Sequence, residues 1–555
     1  MSVPRLAKTA KILCIFGLLP TAVSFGQAAT PPTDFHAARA SANRTSAAST
    51  APADLQQQLA SLRAQLAALQ ARLDTLERNA PLAQAAPAHV ESAAANNMDK
   101  AAPATSSQPG PAAASADAAG QPPRSQTAKQ PKPGASQPFS FADFSWLNGN
   151  SRVTRSPLDT PVFTGEFRAD VSYIYDFNHP ADDTLVGTTE SGRTQEFQVQ
   201  QLGVGGDFHY HNVRGRLMTQ YGMYSTMTPR NDATPGRGQW NLADAYRYLS
   251  EAYGGYHFDL MHGVNVDAGI FMSYIGLFSY YNFDNWSYQP SYVSSNTPWF
   301  FDGLRVQTFP TDRLKVEFWL INGWQSYGRA NHRPGLGTQI AWRPNGAVAL
   351  IFNEYGVGAD TVGGPARTRW HSDDSVELKY RDEPDNWLDR AALTFTADFG
   401  CESGGGVVCW AKGTPQQPRQ YFIGAMAYNR FWLRRNLYGV TFGGGWINNP
   451  GRYLVLLPPI NGATAVSGTP YFTENPGDPF RAWDASATFD VMPSQYITFR
   501  WEFDHRGSNV PYFAGPGGVT PPGGNTGAPG SLVPNWTPDL VKAENRLNMA
   551  LLVMF

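Results

Sequence analysis

The sequence finishes in a strict two-residue alternation. Asn545 to Phe555 reads N-R-L-N-M-A-L-L-V-M-F. Every second residue from the end gives Phe555, Val553, Leu551, Met549 and Leu547; the intervening set is Met554, Leu552, Ala550, Asn548 and Arg546. Successive side chains of a strand point to opposite faces. The segment is therefore predicted as a strand with one wholly apolar face and a second face that turns polar toward its start. A terminal strand frays in water unless it is tied down. This one needs partners along its edges and an apolar medium for its outer face.

The pattern resembles the closing strand of bacterial outer-membrane barrels, whose final Phe is read by the barrel-insertion machinery; Phe555 takes that place here. Composition agrees. Charged residues are 16% of the chain, against about 25% in ordinary soluble domains. Aromatics reach 13% and there are 53 Gly, yet mean hydropathy is −0.36. The longest apolar run, near the start, is too short to cross a bilayer as a helix. Strands that are apolar on one side only, with aromatic rings at the water interfaces, reconcile these numbers. A net charge of −2 argues against nucleic acid as a partner.

Ahead of the barrel the chain divides by composition. Residues 1–28 read as a secretory signal: Arg5, Lys8 and Lys11 precede apolar Ile12 to Val23, and Gly26 and Ala28 suit cleavage. Residues 29–53 read as disordered. Over 54–78, Leu55, Leu59, Leu62, Leu66, Leu69, Leu73 and Leu76 form a heptad seam. Asp54 followed by Gln57 marks its start. Self-association through this coiled coil is favoured over docking of a single helix on its own barrel. Residues 79–140, rich in Ala, Pro, Ser and Gln, bury no core and read as a linker. Cys401 and Cys409 are the cysteines of the exported chain, and they are expected to pair across the loop C-E-S-G-G-G-V-V-C.

Residues 141–555 are expected to form a transmembrane antiparallel β-barrel of about sixteen strands. Phe167, Ala169, Val171, Tyr173 and Tyr175 oppose Arg168, Asp170, Ser172 and Asp176; Ile497, Phe499, Trp501 and Phe503 oppose Thr498, Arg500, Glu502 and Asp504. Similar alternation recurs around 214–223, 264–273, 314–320, 393–399 and 483–490. Short turns near 211–212, 259–263, 310–312, 344–346, 381–386, 434–436 and 493–494 alternate with long Gly/Pro-rich stretches, as in a barrel with short periplasmic turns and long external loops. A soluble β-sandwich also alternates. Its polar face can be freely charged, whereas here opposite charges come close together: Arg168 with Asp170, Lys315 with Glu317, Glu377 with Lys379, Arg500 with Glu502. Charges in a narrow lumen need partners.

The expected pore lining includes Arg168, Asp170, Arg214, Arg216, Arg305, Lys315, Glu317, Lys379, Arg500 and Glu502. Both signs are present, so strong ion selectivity is not expected. The loop Ile275 to Phe300 is unusually aromatic. Tyr281, Trp286, Tyr288 and Trp299 are candidates for a constriction, and flat rings there could stack on a solute. The bland alternative is that they pack the loop against its neighbours. No metal ligand set or cofactor motif is legible. His209 and His211 lack a third ligand, and the glycine runs 404–406 and 443–445 precede no helix.

Several runs carry a family likeness: F-S-W-L-N-G-N at 144–150, E-A-Y at 251–253, N-F-D-N-W-S-Y-Q-P-S-Y at 282–292, P-W-F-F-D-G at 298–303 and I-N-G-W-Q at 321–325. In this order they resemble the β-barrel porin-2 family of OmpL-like outer-membrane proteins, over about residues 141–555. The resemblance implies a closed barrel in outer-membrane lipid, a channel role for small hydrophilic solutes, and no catalytic residues to carry over. Many porins are trimers, which makes a trimer the expected oligomer. The leucine heptad and its linker are additions to the family pattern. Two other readings stay open: a loop-plugged barrel acting as an adhesin or envelope anchor, and a barrel enzyme.

Overall fold

The computed structural model describes residues 137–359, 366–451, 453, 458–464, 466–469, 471–472 and 475–555. The signal, the coiled coil and most of the linker lie outside the described residues.

Among those residues, sixteen strands close into one antiparallel cylinder. In chain order they are β1 (Phe163–Asp176), β2 (Phe197–Tyr210), β3 (Val213–Thr219), β4 (Leu249–Phe258), β5 (Val264–Met272), β6 (Phe300–Thr311), β7 (Leu314–Ile321), β8 (Gly335–Asn345), β9 (Val348–Gly358), β10 (Thr368–Asp382), β11 (Leu388–Ser403), β12 (Gln420–Leu433), β13 (Tyr438–Asn448), β14 (Arg481–Ser494) and β15 (Ile497–Ser508). A two-stranded ribbon, β16 (Phe513–Ala514) with β17 (Leu540–Val541), sits in the last loop, and β18 (Ala543–Met554) is the closing strand. Each strand pairs with its sequence neighbours, and β18 lies between β15 and β1. Sharing both edges solves the fraying problem of the C-terminal segment. Phe167 and Phe555 exchange backbone hydrogen bonds at 2.7 and 3.0 Å, and their rings stack at 5.1 Å.

Connections alternate in length. Those after β2, β4, β6, β7's partner β8, β10, β12 and β14 span two to five residues and gather at one end, the turn end. The others run from nine to 34 residues at the loop end. Four turns sit one or two residues later than expected; in three of them Pro310, Pro344 and Pro493 occupy the last residues of strands rather than the turns themselves. Proline lacks a donor but is tolerated where a strand leaves the ladder.

Alternation in sequence becomes inside and outside in space. In β18, Glu544, Arg546, Asn548, Ala550, Leu552 and Met554 are buried, while Leu547, Met549, Leu551 and Val553 face out. Outward Phe208, Tyr210, Phe258, Trp342, Tyr380 and Trp387 ring the turn end; Phe197, Tyr221, Trp410, Trp446 and Trp483 ring the loop end. Two aromatic girdles flanking an apolar band are what a bilayer's two interfaces select. No described helix is long and apolar enough to cross a membrane.

Candidate functional site

The structure places Arg168, Asp170, Arg214, Arg216, Arg305, Lys315, Glu317, Lys379, Arg500 and Glu502 on the inward face of the wall. Their partners differ from the expected ones. Lys315 does meet Glu317, at 3.1 Å. Arg168 instead pairs with Glu166 and, at 2.9 Å, with Asp284; Arg500 pairs with Asp490 at 2.7 Å; Lys379 pairs with Asp382, and Glu377 accepts the Asn148 N–H at 2.8 Å. Long side chains bridge both spacings: residues two apart on a strand, about 7 Å apart, pair in Arg168–Glu166 and Lys315–Glu317, while directly opposed residues on neighbouring strands, about 5 Å apart, pair in Arg500–Asp490. Arg216 shows the cross-strand habit: it bonds Asp207 on β2 at 3.0 Å, Glu251 on β4 at 2.7 Å and Glu166 on β1 at 3.0 Å. Arg305 and Arg214 share Asp267, at 2.8 and 3.3 Å.

The long loop between β5 and β6 folds into the lumen. Its backbone docks on charged wall residues of both signs. Tyr288 and Gln289 N–H groups donate to Glu502, the latter at 2.7 Å; Tyr292 N–H and Ser291 Oγ donate to Asp484 at 2.8 Å. In return, Arg500 donates to the carbonyls of Asn282, Ser287 and Asn285 at 3.1, 2.9 and 2.7 Å, and Arg430 to that of Trp286 at 3.1 Å. Asn282 and Tyr288 side chains donate to Asp170 at 3.0 Å. A loop backbone that leaves water must find partners for each N–H and C=O. Here wall carboxyl and guanidinium groups supply them.

The four constriction candidates are all buried. Tyr281 donates to Glu251 at 3.0 Å with Arg168 over its ring at 4.1 Å; Trp286 faces Trp432 edge-on at 5.4 Å; Tyr288 reaches Asp170; Trp299 lies 5.7 Å from Tyr280. None has a free face for a solute to stack on, since each is at most 3% exposed. The rings pack the loop instead.

A second inner element contains the family motif at 144–150, whose place in the barrel the sequence did not reveal. Phe139 to Val153 forms a strap across the turn end, starting with Phe139, which composition assigned to the linker. Phe139 N–H donates to Asp312 O in the β6–β7 turn at 2.7 Å. Trp146 Nε1 reaches Gly346 O in the β8–β9 turn at 3.2 Å, and Arg152 Nη2 reaches Ile497 O beside the β14–β15 turn at 2.7 Å. The β6–β7 and β14–β15 turns stand eight strands apart on a ring of sixteen, so the strap joins opposite sides. It also holds the loop: Trp286 N–H donates to Asn148 Oδ1 at 2.8 Å and Trp286 Nε1 to Trp146 O at 3.1 Å. Four aromatics in eight residues, Phe139, Phe141, Phe144 and Trp146, were the available signal. The inward residues Arg152, Arg430 and Arg506 were likewise missed. Cys401 and Cys409 are bridged at the loop end, with Cα atoms 5.2 Å apart.

A closed cylinder that is apolar outside, ionic inside and girdled by aromatics defines a transmembrane β-barrel. The family described as "Putative beta-barrel porin-2, OmpL-like" matches residues 167–527, more than half of the chain. The chain belongs to that family, and it is a porin of the bacterial outer membrane, pointing to a channel rather than an enzyme. No curated protein matches it. Among solved structures, the outer membrane channel DcaP of Acinetobacter baumannii is similar at 11% identity and a TM-score of 0.40, covering 71% of this chain and 96% of that one. The anion-selective porin from Comamonas acidovorans is similar at 8% and 0.40, covering 71% and 99%. OprB of Pseudomonas putida is similar at 12% and 0.40, covering 71% and 94%.

Proposed function

We propose that the barrel admits small hydrophilic solutes by passive diffusion along a lumen narrowed by the β5–β6 loop and by the strap. Sixteen strands enclose enough space for an aqueous channel. The observation that carries the narrowing is the burial of the inward face: Arg168, Arg305, Glu317, Asp490, Arg500 and Glu502 are each at most 2% exposed. Lumen walls of an unobstructed channel would be wet. Short turns lie on the periplasmic side of outer-membrane barrels, which puts the strap and the preceding arm there. The leucine heptad then joins copies, as a trimer, within the periplasm. Residues 1–28 act as the export signal, and Phe555 as the mark for barrel insertion.

The same burial favours a second reading, a barrel plugged by its own loop that serves as an adhesin or envelope anchor. Proteoliposome swelling separates the two. Entry of a pentose with exclusion of a trisaccharide supports a narrowed channel; exclusion of both supports the plug.

A further inference from the structure

Beneath the strap, at the turn end, the wall leaves a cavity of about 500 Å³. Its lining includes Arg152 and Asp143 from the strap, Arg390 from β11, Trp432 from β12, and Arg435 from the following turn. A narrower cavity of about 30 Å³ continues inward and shares Ser145, Arg152, Trp432 and Met492 with the first. Its far wall is Arg430, Arg500 and the loop residues Phe283 to Trp286. The two cavities together present five guanidinium groups and two carboxylates, Asp143 and Asp284.

The carboxylates are already committed. Asp284 bonds Arg168 at 2.9 Å, and Asp143 meets Arg390 at 3.3 Å. Arg430 and Arg500 share Asp490, each at 2.7 Å. Arg152 enters no ion pair among the described residues. Its Nη2 donates to two backbone carbonyls, of Ser494 at 3.4 Å and Ile497 at 2.7 Å, its Nε has no acceptor, and its guanidinium lies 4.3 Å from the Phe283 ring centre. Burial pulls this group well below the usual guanidinium range, to about 9; Asp490 and Asp284 attract it, while Arg430 and Arg500 add repulsion. It is a cation short of compensating charge. At the outer rim Asp382, Asp385 and Asp389 border Arg390 and Arg435; Asp382 lies 3.8 Å from Arg390, and Asp389 accepts the Asn436 N–H at 2.6 Å. Asp382 and Asp389 are engaged at the rim, and Arg152 lies in the part of the cavity away from it.

We infer that this vestibule binds a small organic carboxylate, with its anionic head on Arg152 between Arg390 and Arg430 and its apolar body against Trp432 and Met492. Guanidinium forks suit carboxylate geometry, and the volume is that of a small-ligand pocket. Trp432 keeps its ring near both flanking cations, 5.9 Å from Arg390 and 5.3 Å from Arg430, which gives the head and the body adjacent surfaces. The inference deepens the channel reading by naming the solute class, and it rests on that reading only for the route. Binding itself needs no conduction.

Isothermal titration calorimetry on the full chain folded in detergent tests it, with benzoate and acetate as probes. Heat-modifiable migration on gels verifies that each variant is folded. Wild type is expected to bind benzoate at least about tenfold more tightly than acetate, since a ring adds buried apolar area. R152M removes the charge but keeps a stem, and should weaken benzoate about tenfold or more. D143N removes a competing carboxylate and should tighten it. A merely structural effect on the strap would weaken binding in both variants. No binding by wild type, equal binding of the two anions, or weakening by both variants overturns the inference. A protein that binds benzoate yet conducts nothing contradicts the channel reading alone.

Discussion

Arg500→Met removes one of the ties that hold the β5–β6 loop in the lumen. Arg500 makes three hydrogen bonds to loop carbonyls, at 3.1, 2.9 and 2.7 Å, and one ion pair with Asp490. Hydrogen bonds to charged groups contribute about 1.5–3 kcal/mol each, so the gross loss to the loop is roughly 5–9 kcal/mol. Three factors reduce it. Methionine retains most of the stem packing, Asp490 keeps Arg430 at 2.7 Å, and one of the freed carbonyls, that of Asn285, borders a cavity that water can enter. A net loss of about 3 kcal/mol remains, comparable to breaking one buried pair. That is roughly a hundredfold shift toward a loosened loop. Glu502, Asp484 and Asp170 still hold their loop partners, so the segment should flicker rather than leave. Single-channel recording is the assay, together with limited proteolysis across 282–289 in the folded protein. A larger or noisier conductance and faster cleavage are expected. Unchanged current and unchanged cleavage in a folded barrel would refute the docking of the loop through wall carboxyl and guanidinium groups.

Three further outcomes are expected. Met549→Arg, outward and mid-strand on β18, should destabilise folding into vesicles by about 2–4 kcal/mol, and Val553→Arg by less because it lies nearer the interface; urea titration measures both, and equal costs would invert the depth assignment. Asp143 is held below its ordinary 3.8: burial pushes it up, but the Ser145 N–H and hydroxyl and the Arg390 charge pull it down further. Its contribution is thus fully present above about pH 4 and is lost only as pH falls through the lowered value, so protease clipping of the strap should stay flat from pH 8 to 5 and rise below about 4. Leu62, Leu66 and Leu69 changed together to Ser should weaken oligomers on mild gels while the barrel still folds; loss of the barrel would contradict separate arm and barrel units.

The outer surface was legible because lipid imposes one rule on every strand. In β1, β14 and β15 most outward positions are apolar and most inward ones polar, and in β7 and β18 the same holds over the half of the strand that carries Lys315 and Glu317 or Glu544 to Asn548, so period two stands out. In β12 that signal disappears. Phe422, Met426, Tyr428 and Trp432 face inward on the same strand as Arg430, because the loop and strap cover them. An inner face packed against protein is as apolar as an outer face packed against lipid. Hence Arg430 was missed, and the aromatic loop could be read as either constriction or packing. Some ion pairs were misassigned for a related reason: sequence shows neighbours along a strand, as in Lys315–Glu317, but other partners come from across strands and from a loop more than 100 residues away, as with Arg168 and Asp284. The strap lacks any period, being neither helix nor strand, so its aromatic density and the family motif at 144–150 marked the segment without revealing its position.

Single-channel conductance of the purified full chain in a planar lipid bilayer tests the central claim most directly. Wild type should give discrete steps that are clearly smaller than those of a variant whose residues 275–299 are replaced by a short glycine-serine linker. A bilayer silent for both proteins, or steps of equal size, would contradict a channel narrowed by its own loop.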